Sequence, residues 1–341
     1  MRIGVAGCGL IGCRRAEVAS RSGEDEVLLV ADVAQERAEA AGQRFGCGWT
    51  SDWRRLLERP EIEAVVVATT NDWLAPIAVA ALEAGKHVLC EKPPGRSAAE
   101  AEAMLRAAQN SGRTLKIGFN HRHHPAIERA HRLCAAGAIG EPYWVRCRYG
   151  HGGRPGYERE WRFRREVSGG GELLDQGIHA IDLARWFLGE FRQALGLTAR
   201  WHWPPAEGDG VEDNAFALLR SEGGRVASIH VSWTEWKNAF HFEVCGREGY
   251  LAVEGLGGSY GPETLRWGRR RSEGGPPEEQ RFEFPGPDVS WELEWREFKA
   301  AIKERRQPLG SGRDGLEAMK LVEQIYRSAA EAARAAAAGG R

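Results

Sequence analysis

The sequence is short of net charge. Its 47 Lys and Arg against 48 Asp and Glu leave a formal charge of −1, which argues against a nucleic acid held by bulk electrostatics. It lacks any apolar run of membrane-spanning length, so no membrane partner is expected. It lacks a leader-like start, because Met1 passes directly into the apolar run Arg2-Ile3-Gly4-Val5-Ala6; a cytoplasmic location is expected. Its seven cysteines (8, 13, 47, 90, 134, 147 and 245) form no CxxC pair, which excludes a disulfide framework or zinc site of the usual spacing. His121, His123 and His124 have no carboxylate or cysteine at ligand spacing, and no metal is expected. No internal repeat is visible, and 341 residues suit two domains.

What is present begins with Gly7-Cys8-Gly9-Leu10-Ile11-Gly12, set between the run Arg2–Ala6 and a helical segment. Glycines in such a turn let the backbone approach a pyrophosphate, and the helix start offers its unused N–H groups to the anion. Twenty positions on, Asp32 follows the apolar run 27–31, where a carboxylate accepts hydrogen bonds from an adenosine ribose. The spacing predicts dinucleotide binding, and Asp32 predicts NAD over NADP because it would repel a 2′-phosphate.

Runs at 64–68, 87–90 and 115–119 read as further buried strands, with alanine-rich helices at 76–84 and 97–109 between them. Ser97 and Glu100 form a capping box. This predicts a Rossmann-type doubly wound parallel sheet in domain 1–120. Beyond it, a helix at 125–136 precedes segments of period two at 143–149, 214–219, 225–233, 240–245 and 250–253. They predict an α+β domain, 121–341, built on a meander of antiparallel strands and closed by helices at 289–303 and 312–335. The arginine- and glycine-rich stretch 269–277 reads as a solvated hairpin tip.

Two constellations carry chemistry. Glu91-Lys92-Pro93 lies at a strand's carboxyl end, where open α/β sheets bind ligands, and a lysine there can lower a substrate hydroxyl's pKa. After Gly169-Gly170-Gly171, the residues Asp175, His179 and Asp182 fall at i, i+4 and i+7, so one helix would stack them. Histidine exchanges protons near neutral pH, and a carboxylate one turn away can fix its tautomer. The segment 150–168 alternates arginines 154, 159, 162, 164 and 165 with glutamates 158, 160 and 166. Arg154 is expected to grip an anionic substrate group, with Tyr157 and Trp161 as an apolar wall, against the alternative of a solvated charged loop. Most of the thirteen tryptophans are expected in a core or a sheet-face interface.

The glycine turn, Asp32, Asn71, AALEAGKHVLCEKP across 80–93, Gly118-Phe119-Asn120-His121-Arg122 and Asp175-x-Gly177-x-His179-x-x-Asp182 together resemble the Gfo/Idh/MocA family, over nearly the whole chain. The resemblance implies an NAD(P)-dependent oxidoreductase of sugars, inositols or their derivatives, with an open C-terminal sheet often used for oligomerisation. A homo-oligomer, dimer or tetramer, is therefore expected. Carried over, Lys92, Asp175 and His179 match the catalytic residues. Gly7, Gly9, Leu10, Ile11, Gly12, Asp32, Thr69, Thr70, Asn71, Glu91 and Lys92 would hold NAD, and Asn120, Arg122, Arg154 and Trp161 would join the catalytic residues around the substrate. The Lys92–Pro93 bond is expected to be cis. Where the family has Thr-Pro-Asn-x-x-His, this chain reads Thr69-Thr70-Asn71-Asp72-Trp73-Leu74, so the histidine's contact is lost. The resemblance leaves open a sugar-nucleotide oxidoreductase, a glycosidase using bound NAD, or a sensing regulator.

Overall fold

The computed structural model describes residues 1–21, 23–204 and 210–339, which divide into two compact units. The first holds Met1–Asn120, Glu166–Gly169 and Trp291–Met319. Its strands are β1 (Arg2–Ala6), β2 (Glu26–Ala31), β3 (Gly48–Thr50), β4 (Ala64–Val67), β5 (His87–Cys90) and β6 (Leu115–Ile117). They pair in parallel in the order β3-β2-β1-β4-β5-β6. The order reverses between β1 and β4, the switch point at which doubly wound sheets bind ligands beyond their strand ends. All four residues of β4 are completely buried, as expected of a β-branched strand covered on both faces.

Two expectations change here. The helix after β4 begins at Asn71, with Thr70 as its N-cap, and accommodates Pro76 in its second turn rather than starting there. The segment Trp291–Met319 also groups with the first unit, although the sequence placed everything past 120 in the second. Burial explains this return: Trp291, Trp295 and Phe298 share one core with Ile3, Val5, Val30 and Leu89.

The second unit holds His121–Arg165, Gly170–Ser290 and Lys320–Arg341. Its strands are β7 (Pro142–Gly150), β8 (Phe191–Ala199), β9 (Asn214–Ser221), β10 (Val226–Ser232), β11 (Ala239–Gly246), β12 (Gly249–Glu254), β13 (Glu263–Arg269) and β14 (Glu278–Phe284). The order β14-β13-β12-β11-β7-β10-β9-β8 corrects the simple meander, since β7 is central and runs parallel to β10. All other pairs in this sheet are antiparallel. Residues 270–277 join β13 to β14 as the expected hairpin tip. Helices Pro125–Ala135 and Ile178–Leu188 pack on one face of the sheet. Side chains of the opposite face stay open, including Leu195, Leu197, Phe216 and Leu218.

Candidate active site

In the first unit the glycine turn follows β1 and starts the helix Leu10–Arg21. Gly7 and Gly12 are required by the protein itself. A Cβ on Gly12 would stand 1.8 Å from the Gly7 carbonyl oxygen, and one on Gly7 would stand 2.3 Å from that of Ala68. Gly9 differs, because a Cβ there would meet nothing within 4 Å. That open space above a helix N-terminus is the cradle a pyrophosphate requires. Leu10, 87 % exposed, and Ile11 carry the first helical N–H groups beside it.

Asp32 lies just beyond β2, its carboxylate turned over the glycine turn: Oδ2 accepts the Cys8 N–H at 2.9 Å and Oδ1 that of Ala34 at 2.9 Å. Arg37 also donates to Oδ1, at 3.0 Å, from a solvent-exposed position. Sequence reasoning missed this arginine, which places a cation beside the Asp32 carboxylate. Burial, with Asp32 beside it, pushes the Cys8 thiol up to about 12, so it stays protonated and unreactive at neutral pH.

Beyond β4, Thr69 and Thr70 lead into the helix Asn71–Glu83. Asn71 is buried and its amide donates to the Ser168 carbonyl at 2.8 Å. Leu74, in the place of the family histidine, is fully buried. Glu91 follows β5 and accepts from Arg15 at 2.6–2.7 Å. The next peptide bond, Lys92–Pro93, is cis. Asn120 closes the unit after β6 and is buried.

In the second unit, Leu173–Gly177 is a single π turn running into the helix Ile178–Leu188. Such wide turns recur at functional sites. Asp175 lies inside this turn, and His179 and Asp182 lie on the α-helix that follows it. Asp182 is buried and receives two hydrogen bonds from Arg122, at 2.7 and 2.6 Å. Arg122 is itself buried and lies 5.4 Å over the Trp186 ring, so its guanidinium is engaged in a buried ion pair.

Asp175 and His179 take a different setting. Arg162 approaches Asp175 at 3.4 Å. His179, 4 % exposed, stacks face to face on His121 with ring centres 3.8 Å apart. Gln176 donates to the Tyr260 hydroxyl at 3.1 Å, and Tyr260 in turn adjoins Tyr149 with ring centres 5.6 Å apart. Burial pushes the Tyr260 hydroxyl up to about 12 and raises that of Tyr149 as well, so both are neutral hydrogen-bonding groups. No feature of the sequence linked Tyr149 and Tyr260 to the 175–179 segment, which lies far from either in the chain.

Arginines of the segment pair with carboxylates close by. Arg154 pairs with Glu160 at 2.5 Å, Arg159 with Glu158, and Arg162 with Glu160 as well as Asp175. Arg154, with its side chain 64 % exposed, is thus held by a carboxylate at the surface. Tyr157 is no substrate wall: it is buried in an aromatic cluster with Phe163, Trp203 and Trp233. Trp161 remains half-buried under the Arg162 guanidinium, 4.6 Å from its ring centre.

A doubly wound sheet with this glycine turn and carboxylate, in a chain whose second sheet packs against the Asp175–His179 segment, is the pattern of a nicotinamide-nucleotide oxidoreductase. Residues 1–119 match the family described as an oxidoreductase family with an NAD-binding Rossmann fold, and residues 127–252 match the GFO/IDH/MocA C-terminal domain. The chain belongs to the Gfo/Idh/MocA family and is an NAD-dependent oxidoreductase. It is 30 % identical to 1,5-anhydro-D-fructose reductase of Ensifer adhaerens over 96 % of each chain. It is 32 % identical to levoglucosan dehydrogenase of Pseudarthrobacter phenanthrenivorans over 65 % of this chain, spanning 63 % of that relative's length. The solved structure of a levoglucosan dehydrogenase in complex with NADH superposes with a TM-score of 0.87 over 97 % of both chains, at 27 % identity.

Proposed function

We propose that this protein transfers a hydride between NAD and a secondary alcohol or ketone of a cyclic polyol, sugar or sugar derivative. The observation that carries the reading is the setting of His179: a buried imidazole on the helix that continues from Asp175, beside neutral tyrosine and glutamine groups suited to a polyhydroxylated ligand. The names of the relatives, a levoglucosan dehydrogenase, a 1,5-anhydro-D-fructose reductase and inositol 2-dehydrogenases, support the same substrate class.

In this reading the turn Gly7–Gly12 and Asp32 hold the pyrophosphate and adenosine ribose, and Thr69, Thr70, Asn71 and Glu91 border the nicotinamide end. Bound NAD supplies the hydride acceptor. His179 takes the proton of the substrate hydroxyl, and Lys92 steadies the developing alkoxide through a charge-assisted hydrogen bond. Asp175 orients and charge-balances Lys92, His179 or both, and Asn120 and Trp161 complete the substrate's surroundings. The first unit then serves the cofactor, and the second serves the substrate and self-association.

We further propose a cytoplasmic homo-oligomer. The seven cysteines form no disulfide. On the open sheet face, Leu195 lies opposite Leu218 and Leu197 opposite Phe216, and Phe216 is capped by the stacked His230 ring. Leu197 and Leu218 are 59 % and 51 % exposed, an apolar patch suited to a second copy. Leu197→Asp should shift the mass measured by light scattering to that of a monomer. An unchanged mass places the interface elsewhere.

The decisive assay incubates the protein with NAD and, in turn, levoglucosan, myo-inositol, D-apiose, uronates and sugar nucleotides, following reduced-nicotinamide absorbance. Turnover of a free sugar or polyol that falls by about a hundredfold or more in His179→Ala, with NAD affinity unchanged, is expected. Turnover of a sugar nucleotide alone, or glycoside cleavage without net reduction of NAD, contradicts the reading.

A further inference from the structure

We infer that Glu212 is a positioning residue for the reaction: its buried side chain caps the segment that carries Asp175 and His179, and Tyr326 fixes the cap. This rests on the reading of Asp175 and His179 as the residues that meet the substrate.

A helical segment begins with N–H groups that have no partner within it. Here the first three all go to one residue forty positions away. The Gly171 N–H reaches both carboxylate oxygens of Glu212, at 3.1 and 3.2 Å, and the Leu173 N–H reaches Oε1 at 3.1 Å. The intervening Glu172 N–H donates to the backbone carbonyl of Glu212 at 3.1 Å. The Tyr326 hydroxyl, from the last helix, donates to the same Oε1 at 2.6 Å. An ordinary N-cap is a short side chain adjacent in sequence. This one comes from the approach to β9, so it ties the start of the π turn to the sheet instead of to its own flank.

The close fit explains the glycines ahead of the turn. A Cβ on Gly171 would lie 2.0 Å from the Glu212 carbonyl oxygen, and one on Gly170 would lie 2.3 Å from the Tyr326 hydroxyl. Those glycines let the cap close onto the backbone two to four residues before Asp175. A shift of the cap therefore passes directly into the π turn, and displacements of about 1 Å at a reacting group cost on the order of a hundredfold in rate.

The test compares Glu212→Ala, Glu212→Gln, Tyr326→Phe and His179→Ala with the wild type. Each is assayed with NAD and whichever of levoglucosan, myo-inositol or D-apiose the wild type oxidises fastest. Glu212→Ala should lower kcat by about tenfold to a hundredfold, with KM and NAD affinity within about twofold. Glutamine keeps an acceptor oxygen for Leu173 and Tyr326, so Glu212→Gln should restore most of kcat. Amide exchange should quicken in Glu212→Ala across residues 171–179 alone. If Glu212→Ala does not fold, Tyr326→Phe carries the test, with a severalfold loss of kcat at unchanged KM expected. Full kcat in Tyr326→Phe and Glu212→Ala, with His179→Ala inactive, overturns the positioning role and leaves the site reading standing. Full activity in His179→Ala overturns the site reading itself.

Discussion

Glu91 and Glu212 are both buried carboxylates next to proposed catalytic residues, one in each unit, and they are satisfied in opposite ways. Glu91 belongs to a charge-balanced cluster in the first unit. Arg15, 1 % exposed, bridges Glu91 at 2.6 Å and Glu294 at 2.5 Å, and Lys116 meets Glu294 at 3.3 Å while also donating to the Leu309 carbonyl. Glu212 has no cation at bonding distance among the described residues; backbone N–H groups and one tyrosine hydroxyl hold it. The cluster recovers desolvation by Coulomb attraction and suffers when any one charge goes. The cap recovers it through neutral donors and tolerates a neutral acceptor.

The largest expected effect breaks the first arrangement. Glu294→Ala leaves Arg15 and Lys116 short of a counter-charge and should cost about 3–5 kcal/mol in denaturant unfolding. Glu212→Gln should cost less than about 1.5 kcal/mol, the loss of a modest hydrogen bond. Equal costs would erase the distinction between the two regions.

A smaller effect sharpens it. Burial raises the pKa of Glu212 above its ordinary value, against the lowering pull of Tyr326 and the backbone donors. A carboxyl raised in the folded state contributes stability that is present below its unfolded pKa and is lost as pH rises through the folded pKa. The stability of the wild type relative to Glu212→Gln should therefore fall as pH is raised from about 4.5. A difference that grows with pH would mean the donors outweigh burial.

How far the sequence reached follows from range. The buried strands β1, β4 and β5 were legible because a covered parallel strand needs only a local apolar run. The glycine turn and Asp32 were legible for the same reason, as one βαβ unit contains them. β8, β13 and β14 were missed: β8 is largely exposed and interrupted by Gly196, and β14 carries Glu278, Glu279 and Arg281 facing solvent. Arg15 reaches Glu91 across 76 positions and Glu294 across 279. Glu212 reaches Gly171 across 41. Such partners share no local pattern, so neither network could be read from spacing. The Arg122–Asp182 pair, 60 positions apart, was hidden for the same reason.

The central claim, that the turn at Gly9 and the carboxylate of Asp32 make this an NAD enzyme, is tested most directly by titrating NAD and NADP separately while following tryptophan fluorescence, in the wild type and in Arg37→Ala. NAD should bind the wild type more tightly, by about tenfold for each 1.4 kcal/mol of like-charge repulsion at the 2′-phosphate. Arg37→Ala should widen the gap by removing the cation that now partly offsets Asp32. Equal or tighter binding of NADP by the wild type would contradict the assignment of Asp32 to the adenosine ribose.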